Sequence, residues 1–103
     1  KNKTVMKLKI DINLKNFKGE ELKEGNNPVN LKDVITGALL MPEEATDGKE
    51  KAARYFMAQR VENSGDNWET TVEEITKVKE LVGKFYTPII VGQAYEILEG
   101  EEK

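Results

Sequence analysis

Residues 6–15, MKLKIDINLK, alternate strictly between apolar and polar positions. Met6, Leu8, Ile10, Ile12 and Leu14 share one side; Lys7, Lys9, Asp11, Asn13 and Lys15 share the other. A period of two describes a strand with one buried and one wet face. Asn16-Phe17-Lys18-Gly19 then reads as a turn, with Gly19 free to take a positive φ. A short return through residues 20–23 closes a β-hairpin within residues 1–25. Two strands alone are marginal, so their apolar face calls for helices.

From residue 30 to residue 100 the period becomes helical. Asn30 is a cap, Asp33 sits near the positive helix end, and Val29 staples to Val34. Leu31, Val34, Ile35, Ala38 and Leu39 form the inward stripe, Leu40 falls opposite, and Pro42 marks the end. After the polar linker EEATDGKE, residues 49–62 form a second helix with Ala52, Ala53, Phe56, Met57 and Val61 inward. Its stripe is the weakest, with Arg60 near the centre and Tyr55 outside.

ETTVEEITKVKELVGKFY gives the clearest helix. Thr71 and Glu74 make a capping box, and Val72, Ile75, Val78, Leu81, Val82, Phe85 and Tyr86 line one half of the wheel. In KFYTPIIVGQAYEILEG, the most apolar stretch of the chain, Thr87 caps a fourth helix and Pro88 takes its first position. Ile90, Val91, Ala94, Tyr95, Ile97 and Leu98 face inward, Gly92, Gln93, Glu96 and Glu99 lie opposite, and Ile89 falls beyond the stripe. This stretch is core filling: Val82, Phe85, Ile90, Ala94 and Ile97 should be largely buried with Leu8, Ile10 and Ile12. Only Thr-Pro separates the last two helices, so they pack as a helical hairpin. The expected fold is α+β. A single domain over residues 1–103 has an N-terminal β-hairpin packed against about four α-helices (residues 30–100).

Composition narrows the chemistry. The 103 residues are 34% charged and 38% hydrophobic, which suits one domain with a heavily charged surface. No apolar run approaches a membrane span, and a cytoplasmic setting is expected. There is no cysteine and no histidine, which removes thiolate chemistry, the commonest general base and the commonest transition-metal ligands. No cofactor and no metal are therefore expected. Residues 1–18 carry six lysines against Asp11, whereas residues 19–103 carry ten basic and eighteen acidic side chains. The basic strand reads as a solvated face, and the acidic remainder opposes nucleic acid as a partner.

No Walker A, dinucleotide-glycine, GxSxG or HExxH pattern occurs, and Ser64 is the only serine. The carboxylate pairs Glu43/Glu44 and Glu73/Glu74 are adjacent, so on a helix they point about 100° apart and do not converge. Candidate interaction residues remain. Trp, Tyr and Arg are frequent anchors of interfaces, which singles out Tyr55, Arg60 and Trp68, the last either a lid on the core or a partner contact. Leu40 and Ile89 join them as apolar groups outside the helical stripes.

On MKLKIDINLK, LKDVITGALL and VGKFYTPIIVGQAYEILEG, the chain resembles small uncharacterised proteins of tailed bacteriophages and prophages. The resemblance covers most of the chain and implies an accessory role without catalytic residues. The expected function is a non-enzymatic phage or prophage accessory or assembly protein acting through protein–protein interaction. Its partner would be a phage or host protein, or a second copy of the chain. A host-directed inhibitor whose acidic surface mimics nucleic acid is the alternative, and a small carboxylate-dependent enzyme a distant third.

Overall fold

The computed structural model describes residues 5–44 and 46–100, and Lys1 and Lys3 of the basic run lie outside them. In order come β1 (Met6–Lys9), β2 (Lys23–Glu24), β3 (Asn27–Pro28), α1 (Leu31–Leu40), α2 (Gly48–Glu62), β4 (Asn67–Thr70), α3 (Val72–Phe85) and α4 (Pro88–Glu99). The fold is α+β with four helices, and α3 packs against α4 across the Thr-Pro break.

β1 pairs antiparallel with β4, a partner the sequence hides in what looks like a polar loop. Leu8 stands opposite Trp68 and Met6 opposite Thr70. Leu8, Trp68 and Thr70 are buried, while Lys7, Lys9, Asn67 and Glu69 face out. The return strand expected at residues 20–23 meets only the far end of the alternating run. Lys15 bridges Glu21, the Asn16 N–H donates to the Glu20 carbonyl (2.8 Å), and the Leu22 N–H donates to the Leu14 carbonyl (2.9 Å). The cause lies at Ile12, whose N–H donates to the Ile10 carbonyl two residues back (2.9 Å). That tight turn bends the strand, so alternation continues where the ladder cannot.

Beyond the bend, three segments close on one another. The Leu14 N–H donates to Val29 (2.8 Å), the Leu22 N–H to Leu14, and the Val29 N–H to Leu22 (2.8 Å), which completes a ring of three backbone bonds. Asn30 ties this ring to α1. Its Oδ1 accepts from the Lys32 N–H (2.9 Å) as the cap, while its Nδ2 donates to Asp11 and Asn13 (both 2.9 Å).

The core gathers Leu8, Ile10 and Leu14 from the N-terminal arm, Leu31, Ile35 and Ala38 from α1, Val78 and Val82 from α3, and Ala94 and Leu98 from α4. Each large apolar side chain taken fully out of water contributes about 1.5–3 kcal/mol. Phe85, Ile90 and Ile97, expected to be largely buried, pack against this core but keep partial exposure, and Ile12 at the bend is likewise only half-buried. They sit on the flanks of faces too wide for one neighbour to cover.

α2 departs most from expectation. Ala52, Ala53 and Phe56 are exposed, and only Ala58 and Val61 are buried. The helix presents one narrow edge to α1, and ion pairs tie its other contacts to α3. Close approach elsewhere is set by two glycine notches. The Tyr86 hydroxyl occupies the space a Cβ at Gly37 would need, and the Tyr95 hydroxyl lies 2.7 Å from where a Cβ at Gly83 would stand. Tyr95 donates to the Lys79 carbonyl (2.9 Å), and the Lys79 ammonium lies 5.2 Å from the ring centroid, so one side chain pins α4 to α3.

Candidate interaction surfaces

The charged side chains form a structural network first. Arg54 of α2 binds Glu43 at 2.8 Å and Glu50 at 2.9 Å. Lys77 of α3 joins Glu50 at 2.9 Å, and Lys84 joins Glu43. Hydrogen bonds from Lys84 and then Arg54 hold the Glu43 carboxyl below the usual carboxylate range. Arg54 and then Lys77 do the same for Glu50. The two carboxylates push the Arg54 guanidinium up in turn. Carboxylates held ionised by two cations each are poor proton donors at neutral pH. Glu74 caps differently from the expected box. Its N–H donates to the Thr71 hydroxyl (3.3 Å), but its carboxylate accepts from Thr70 (2.9 Å) and Arg60 (2.6 Å).

The five candidate residues fall into three places. Leu40 and Tyr55 meet across α1 and α2, lining one shallow groove with Thr36, Ala58 and Gln59. Both are about half exposed, at 56% and 50%. Phe56, at 59% exposure, extends this patch because its ring stands edge-on to Tyr55 at 5.3 Å. Arg60 is exposed but committed to Glu74, and it shares a separate depression with Trp68. Trp68 itself is 1% exposed, which makes it a core residue and not a surface anchor. The pleat of β4 explains this: Asn67 and Glu69 point out, so Trp68 points in. Its indole N–H has no hydrogen-bond partner among the described residues.

Ile89 lines a third feature, an apolar cleft of about 760 Å³ between the turn at residues 16–19 and α4. The turn is rigidly built. The Asn16 side chain accepts from the Lys18 and Glu20 N–H groups (2.9 and 3.0 Å), and Gly19 takes φ 84° as its position requires. Gln93 clamps the turn to the helix, accepting from the Lys15 N–H (2.9 Å) and donating to the Lys15 carbonyl (2.6 Å). Phe17 at the tip is 97% exposed. The sequence pattern places Phe56 inward and marks neither Phe17 nor Gly92 as an interaction residue. A phenylalanine in a four-residue turn and a glycine inside a helix were the signals available.

Compared with protein-family models, curated proteins and solved structures, the chain matches none. Among the described residues no helix is long and apolar enough to cross a membrane.

Proposed function

We propose that this is a non-enzymatic accessory or assembly protein of a tailed phage or prophage, acting by protein–protein interaction through the outer face of α1 and α2. The phage setting rests on the sequence resemblance. The interaction rests on one observation: Leu40, Tyr55 and Phe56 form a contiguous apolar patch that the fold leaves open. Scattered apolar residues are ordinary on a surface, but a joined aromatic and aliphatic patch is a feature of binding faces. The salt-bridged state of Glu43 and Glu50 argues against carboxylate catalysis at the same end of α2.

The test is affinity capture from phage-infected or prophage-induced cells with wild-type, Leu40→Asp and Tyr55→Asp baits, followed by reconstitution from purified components. A virion protein retained by the wild type and lost by both variants supports the reading. Equal retention by all three baits overturns it. Capture of a basic nucleic-acid enzyme, released by moderate salt, would replace it with the host-directed inhibitor.

A further inference from the structure

Three glycines sit in helix interiors, and two have an internal reason to be there. A side chain at Gly37 or Gly83 would collide with a tyrosine hydroxyl. Gly92, in the middle of α4, has nothing within 4 Å of where its Cβ would be. Glycine weakens a helix interior, and here no contact within the described chain requires it. The space it leaves open is the floor of the cleft beside the turn at residues 16–19.

We infer that this cleft receives Phe17 of a second copy of the chain, in a two-fold exchange where each turn lies over the other's α4. A two-fold interface must be self-complementary, with knob and hole on the same patch. Phe17 is the knob, almost wholly exposed on a turn that Asn16 and Gln93 hold fixed beside the cleft. Its side chain forms part of the rim of its own cleft yet leaves the space over α4 open, since it stays almost wholly exposed. The floor at Ile89 and Gly92 is the hole, and a side chain at Gly92 would shallow it. Charge supports the same occupant. Lys15 stands on the turn side and Glu96 on the helix side, both exposed and neither in an ion pair among the described residues. Exchange brings each lysine to the partner's glutamate. This surface is separate from the Leu40–Tyr55–Phe56 patch, so self-association leaves that patch free.

Sedimentation velocity from low micromolar to near-millimolar concentration tests the inference, with native mass spectrometry of the purified chain alongside. The wild type should show a concentration-dependent dimer. Phe17→Ser, which touches no buried group, and Gly92→Met, which fills the floor, should each weaken it at least about tenfold with the helical signal intact. Glu96→Lys should weaken it, and the Lys15→Glu/Glu96→Lys pair should recover part of the loss. A wild type that stays monomeric throughout overturns the inference. So does a dimer indifferent to both Phe17→Ser and Gly92→Met, or a small molecule carried in the cleft instead.

Discussion

Replacing Gly83 by alanine isolates how closely α4 seats on α3. In an open helix this change stabilises by up to about 1 kcal/mol. Here the new Cβ would stand 2.7 Å from the Tyr95 hydroxyl oxygen and 3.7 Å from its Cζ. Only the hydroxyl collides, since 3.7 Å is ordinary contact. Overpacking of this kind costs about 1–3 kcal/mol. Displacing the ring also strains the 2.9 Å hydrogen bond to the Lys79 carbonyl, worth about 0.5–1.5 kcal/mol. The net expectation for Gly83→Ala is a loss of about 1–3 kcal/mol, roughly 4–8 °C in Tm for each kcal/mol. Tyr95→Phe alone should lose only the hydrogen bond. Made in the Tyr95→Phe background, Gly83→Ala should cost nothing or stabilise, a coupling of at least about 1 kcal/mol. Gly92→Ala is the control, expected to raise stability by up to about 1 kcal/mol because its site is empty. Urea and thermal unfolding, at concentrations low enough to keep the chain monomeric, measure all four variants. If Gly83→Ala shifts stability equally in both backgrounds, the notch does not govern the helix contact.

Trp68→Ala should cost about 3–5 kcal/mol by emptying the site opposite Leu8, whereas the exposed Arg60→Ala should cost about 1 kcal/mol or less. Chemical denaturation separates the two, and near-equal losses would refute the core placement of Trp68. Glu43 and Glu50 have depressed folded pKa values, so their stabilisation is present above the unfolded pKa near 4.5 and disappears as pH falls through the folded pKa. Unfolding midpoints followed from about pH 7 down to about pH 3 should therefore fall less steeply for Glu43→Gln/Glu50→Gln than for the wild type. Parallel acid profiles would show that the network carries no linkage.

The helices were legible because their signals are local. Asn30, Asp33 and the Leu31–Val34–Ile35 stripe all act within a few residues, as do Pro88 and the wide face of α4. β4 was not legible for the opposite reason. NWET looks like loop until a distant strand supplies hydrogen bonds, and only that pairing turns Trp68 inward. The Phe56 side of α2 misled for a related cause: Ala52, Ala53 and Phe56 have helical spacing, but the helix docks on α1 and buries Ala58 and Val61 instead. Leu40, Tyr55 and Ile89 could be picked out as leftovers from their stripes. Which of them share a surface depends on how α1, α2 and the turn meet, which no single stripe records.

The pairing of β1 with β4 also sets an order of events. The ring of Leu14, Leu22 and Val29 joins positions 7 to 15 residues apart, so little chain must be closed to form it. The β1–β4 ladder can zip only across the stretch of chain that holds β2, β3, α1 and α2, a longer and slower closure. Folding should thus start at the ring and α1 and finish at the ladder. Substitutions around Leu14 and Val29 would then slow refolding, while those at Leu8 and Trp68 would chiefly hasten unfolding. The lifetime of the native state should then depend on the clasp between the first strand and a strand that two further helices follow.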